Sequence, residues 1–64
     1  AKKVFEVIDL LEANGWTYQR TRGDHHIFKK DGVRRSIPVP GKRGDVVPPG
    51  VLNAILRESG IKIK

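Results

Sequence analysis

The run Gly-Asp-His-His-Ile-Phe at residues 23–28 places two imidazoles side by side at the start of a strand-like segment. Histidine is the one side chain that ordinarily changes charge near neutrality. The same part of the chain is its most basic: residues 20–43 hold Arg20, Arg22, Lys29, Lys30, Arg34, Arg35, Lys42 and Arg43 against Asp24 and Asp31 alone. That stretch by itself matches the formal net charge of +6. Clustered cations recruit phosphates, and a histidine among them can move a proton, which points to RNA cleavage rather than passive binding. Metal-free cleavage uses the substrate's own 2′-OH as nucleophile. The protein must then supply a proton acceptor, a proton donor for the leaving oxygen, and cations for the phosphorane charge. One of the two histidines, His25 or His26, is the candidate general acid or base, and Arg22, Lys29, Arg34, Arg35, Lys42 and Arg43 are the candidate RNA-binding cations. With one histidine facing the site, the second proton has to travel through Lys, Tyr18, water or His26, so a slow enzyme is expected.

Length and composition exclude other chemistries. Sixty-four residues are read as a single domain over 1–64, near the lower size at which a chain folds without staples. There is no Cys and no Met, which removes a disulfide framework, a thiol nucleophile and a Cys-based zinc site. The core must come from Val, Ile, Leu, Phe and Trp. No apolar run has the length of a membrane-crossing helix or a signal-peptide core, and the expectation is a cytoplasmic protein with no membrane partner. Asp24 beside the two histidines resembles a metal-ligand cluster, but adjacent strand residues splay apart and no further ligands stand out. No metal and no cofactor is expected.

The elements that must carry these residues follow from periodicity and punctuation. Val4, Val7, Ile8 and Leu11 recur at helical spacing with Glu6, Asp9 and Glu12 between them, an amphipathic first helix that Asn14-Gly15 ends. Residues 16–22, Trp-Thr-Tyr-Gln-Arg-Thr-Arg, alternate and are rich in aromatic and β-branched types, so they read as a strand. Residues 25–30 and 33–39 flank Asp31-Gly32, which reads as a tight two-residue hairpin turn pairing the second and third strands. Pro38, Pro40, Gly41 and Gly44 then mark an exposed loop carrying Lys42, Arg43 and Asp45. Pro48-Pro49-Gly50 leads into a second helix whose apolar face is Val51, Leu52, Ile55 and Leu56, closed by Gly60. The order is α-β-β-β-α, an α+β fold with a three-stranded antiparallel sheet and two helices on one face.

Strand alternation puts His25, Ile27 and Lys29 on one face and His26, Phe28 and Lys30 on the other. If Phe28 packs under the helices, His26 goes with it and His25 meets solvent; if Ile27 is the core residue, the roles reverse. Alternation alone does not choose. Trp16 reads as a core anchor, Tyr18 as a half-buried strand tyrosine, His26 as a packed or hydrogen-bonded residue, and Asp45 as a loop residue bonding nearby backbone.

The motif order resembles a known family. A helix ending Leu-Glu-Ala-Asn-Gly-Trp, then Gly-Asp-His-His-Ile-Phe, Ile-Pro-Val-Pro with a basic loop, and Pro-Pro-Gly-Val-Leu-Asn-Ala-Ile-Leu-Arg-Glu-Ser-Gly-Ile is similar to HicA-type toxins, also described as YcfA-like mRNA interferases. The likeness runs from about Lys3 to Ile61. It implies a double-stranded-RNA-binding-domain-like fold, ribosome-independent cleavage of mRNA, and neutralisation by a HicB-like antitoxin protein. In the family the functional histidine follows a glycine by two positions, which here is His25; the residue between is usually Ser or Gly, where this chain has Asp24. The alternative function is a non-catalytic RNA-binding module that uses the same basic sheet surface.

Overall fold

The computed structural model describes residues 2–61. The order is α1 (Val4–Ala13), β1 (Thr17–Arg22), β2 (His25–Lys29), β3 (Ile37–Pro40) and α2 (Pro49–Ser59). The strands form one antiparallel sheet in the order β1-β2-β3. This is the expected α-β-β-β-α layout.

Each helix begins and ends where local chemistry requires. At the start of α1, Lys3 N–H donates to Glu6 Oε1 at 2.9 Å. The next two amides leave the helix altogether: Val4 N–H donates to Asp45 O at 2.8 Å and Phe5 N–H to Arg43 O at 3.1 Å. Loop carbonyls thus satisfy donors that every helix start leaves over. At the other end Gly15 turns the chain with φ +90°, and Trp16 N–H returns to Leu11 O. The second helix has Pro49 in its first turn, where a missing N–H costs nothing, and stops at left-handed Gly60.

One face of the sheet is buried. Phe28, Ile37 and Val39 meet Val4, Val7 and Leu11 of α1 and Ile55 of α2, with Trp16, Val47 and Ile61 completing the core. Trp16 is the largest buried side chain, as expected of an anchor, although it precedes β1 rather than belonging to it. Its indole Nε1 has no hydrogen-bond partner among the described residues, so what it contributes is apolar area.

Two expectations about the strands need correction. First, Asp31-Gly32 is not a two-residue hairpin turn. Gly32 does take φ +82° and Val33 N–H closes a turn onto Lys30 O, but β2 has already ended at Lys29 and β3 begins only at Ile37. Pairing runs from His25↔Pro40 to Phe28↔Ile37, leaving residues 30–36 as an irregular connection. The run Val33-Arg34-Arg35-Ser36 offers no second apolar residue to bury, and Val33 itself stays exposed. Second, β1 contains a bulge. The register shifts between Tyr18 and Arg20, so Tyr18 sits opposite Phe28 and Arg20 opposite Ile27. Tyr18 therefore lies on the helix-side face, edge-on to Phe28 with ring centroids 5.9 Å apart, and is 52% exposed.

The outer strand β3 has a feature of its own. Gly41 N–H donates to Asp24 O at 2.8 Å, continuing the β2–β3 ladder past the strand end. Alternation then points the N–H groups of residues 37, 39 and 41 toward β2. Positions 38 and 40, where an N–H would point outward, are both proline.

Phe28 is 1% exposed and sits where β1, β3 and the helices converge. Phe28→Ala should cost about 3–5 kcal/mol, a large part of the about 5–15 kcal/mol available to a small domain. Urea unfolding followed by circular dichroism should show a midpoint well below that of the wild type.

Candidate nucleic-acid interface

The burial of Phe28 settles which histidine is available. His26, opposite buried Val39, lies on the helix side; His25, opposite Pro40, lies on the open face and is exposed. His25 is the first residue of β2 and its Cα partner across the ladder is Arg22, the last residue of β1. Only Gly23 and Asp24 separate them. Gly23 has φ +60°, and among the described residues none other than glycine has positive φ, so the pair forms a turn of the type II′ kind with glycine at its first central position. This gives the Gly-x-His spacing a physical cause. The glycine makes the reversal, the next residue completes it, and the histidine is then the first side chain projecting from the returning strand.

Cross-strand partners share a face, so Arg22 with His25, Arg20 with Ile27, and Thr17 with Lys29 all stand on the open side of the sheet. Arg22, His25, Ile27 and Pro38 line a shallow depression there. A phosphate seated in it would meet the Arg22 guanidinium, a bidentate anion ligand, beside an imidazole able to give or take a proton. Among the described residues no group of three His, Asp or Glu side chains could hold a metal ion. Among the described residues no helix is long and apolar enough to cross a membrane.

The structure divides the other expected cations among three places. Arg22 and Lys29 share the open face with His25. Lys42 and Arg43 are in the loop after β3, at the same end of the sheet as His25, since Gly41 bonds Asp24. The Arg43 side chain lines a cavity on the helix side with Asp9, Glu12 and His26. Arg34 and Arg35 lie in the 30–36 connection at the opposite end, and Arg35 Nη1 is 3.9 Å from Glu58 Oε1, an exposed pair of little energetic weight. Those two are not brought together with His25. Asp45 behaves as expected of a loop residue: its Oδ2 accepts from Lys42 N–H at 3.0 Å. Sequence reasoning left out Arg20, which the ladder places on the open face. The signal was present, because Arg20 and Arg22 are two apart in one strand and must share a side.

A small basic α+β domain with one histidine presented from an arginine-flanked hairpin fits the toxin half of a bacterial toxin–antitoxin pair. The family model described as HicA toxin of bacterial toxin-antitoxin matches residues 5–61, nearly the whole chain. The chain belongs to the HicA toxin family. No curated protein matches it at a significant level.

A Cβ added at Gly23 would meet nothing within 4 Å, so the cost of substitution there is conformational. Gly23→Ala should still fold, with stability lowered by about 1–3 kcal/mol. A denaturation midpoint equal to that of the wild type would refute the tight-turn assignment.

Proposed function

We propose that this toxin is a metal-independent endoribonuclease that cleaves mRNA, with His25 as general acid or base. The carrying observation is the position of His25: exposed, first in its strand, and directly across from Arg22. In the reaction the 2′-oxygen attacks the adjacent phosphorus, its proton leaves to a base, and the bond to the 5′-oxygen breaks as that oxygen gains a proton. The products are a 2′,3′-cyclic phosphate and a 5′-hydroxyl. His25 carries one of these protons, and Arg22 with Arg20 offsets the charge building on the phosphorane. The open face holds a single histidine, so the other proton passes through water or a lysine, which keeps the rate modest. Lys29 extends the cationic track along the sheet for the flanking backbone.

Membership of a toxin family implies a partner that silences the toxin. We assign that role to a HicB-like antitoxin docked on the open basic face, shielding His25. Site of action follows substrate, and mRNA places the chain in the cytoplasm. If docking is driven by charge, the association rate of toxin and antitoxin should fall steeply with added salt. A rate indifferent to salt would place the interface on apolar surface instead.

The decisive experiment is cleavage of a labelled single-stranded RNA in excess chelator by the wild type and His25→Ala. The wild type should leave a cyclic-phosphate end. The variant should cut about 10²–10⁴-fold more slowly, with its RNA affinity nearly unchanged. Binding without cutting by the wild type, or equal cutting by the variant, would replace this reading with a non-catalytic RNA-binding module on the same surface.

A further inference from the structure

The second histidine of the motif is unused by that reaction, and its surroundings give it a different task. His26 lies behind the open face, and its Nε2 stands 2.9 Å from Gly41 O. A carbonyl can only accept, so the ring carries a proton on Nε2 and, when neutral, accepts at Nδ1. There Thr21 Oγ1 lies at 3.4 Å, a long contact, and is itself 2.7 Å from Tyr18 OH. Donation runs from Tyr18 O–H to Thr21, from Thr21 O–H toward His26, and from His26 N–H to Gly41. Side chains of β1 and β2 thus converge on one backbone carbonyl at the root of the basic loop.

Gly41 is held on both sides, because its N–H also donates to Asp24 O at 2.8 Å. Its φ is +95°, and a Cβ there would lie 3.3 Å from Asp45 Oδ2 and 3.5 Å from Val4 Cγ2. Beyond it the loop closes on itself, with Asp45 N–H on Lys42 O and Lys42 N–H on Asp45 Oδ2. It then docks on α1 by accepting the Val4 and Phe5 amides. The orientation of Gly41 therefore sets where Lys42 and Arg43 stand relative to the hairpin that carries Arg22 and His25.

We infer that His26 is a positioning residue that clasps the 41–45 loop, so that Lys42 meets an RNA phosphate next to the one under attack at His25. The inference rests on the RNA reading of the open face. The adjacent imidazoles divide the work: one projects outward for proton transfer, and one projects inward to fix the loop.

The test compares the wild type with His26→Leu, His26→Ser and His26→Gln. Serine is too short to reach Gly41, and the glutamine amide places an N–H near the Nε2 position. Binding to single-stranded RNA is measured across a range of salt, since the slope of log affinity against log salt reports about 0.7 per phosphate neutralised. Loss of the Lys42 contact should lower the slope by about 0.7 in the leucine and serine variants. Adding Lys42→Ala should then change it no further, and glutamine should restore it. A merely destabilised protein would lose active fraction and keep its slope. Amide exchange of Val4 and Phe5, read without RNA, should quicken by roughly tenfold in the loss variants and recover with glutamine.

A wild-type slope in the loss variants, additive loss on removing Lys42, or glutamine behaving like leucine would each overturn the clasp. If the wild type shows no salt-dependent RNA binding, the RNA reading fails, and the exchange data decide the clasp by themselves: unchanged exchange overturns it.

Discussion

The burial of Phe28 is the constraint on which the arrangement rests. In a sheet with one covered face, a single large inward residue fixes the parity of its strand, and with it the side taken by every neighbour. Because Phe28 points under the helices, His26 is drawn inward and His25 is left on the open side. A slip of one residue would exchange the two. Several devices hold the register against that slip. The Gly23-Asp24 turn ties β1 to the first residue of β2, the bulge at Gln19 absorbs a mismatch of one, and the Phe28↔Ile37 pair locks the far end.

A chain of this size cannot spend residues on loops that do nothing. The segment from Gly41 to Val47 caps α1 with two carbonyls, forms an isolated bridge between Val46 and Lys3, and buries Val47 in the core. The basic loop after β3 is therefore part of the frame. Its conformation cannot be altered without disturbing the start of α1, which supplies Val4, Val7 and Leu11 to the core. Stability and the placement of charge share the same hydrogen bonds.

Most of the fold was legible because it is written in local chemistry. The helical spacing of Val4, Val7, Ile8 and Leu11, the glycine at 15, and the Pro-Pro-Gly before the second helix each specify an element and its boundary. Which histidine faces outward depends on whether Phe28 or Ile27 is the core residue, and only packing answers that. The errors share a cause. Asp-Gly and Gly-Asp both mark reversals, but which one makes a tight hairpin depends on whether the flanking residues have a core to enter. Residues 33–36 do not. The bulge that puts Arg20 and Arg22 on the face opposite Trp16 and Tyr18 left no mark in the pattern, since alternation through residues 16–22 looks unbroken. Grouping of the cations was legible along a strand, as with Arg20 and Arg22, but not across connections. Arg34 and Arg35 are near His25 in number and at the other end of the sheet in space.

The prolines of β3 carry one more consequence. An open sheet ordinarily offers two rims on which a further strand can be templated. With Pro38 and Pro40 at the outward positions, the β3 rim has no donors to give there, while β1 remains open. Edge-to-edge growth of this protein is thereby self-limiting: two copies joined through β1 would present a proline rim at either end, and a third could not be added.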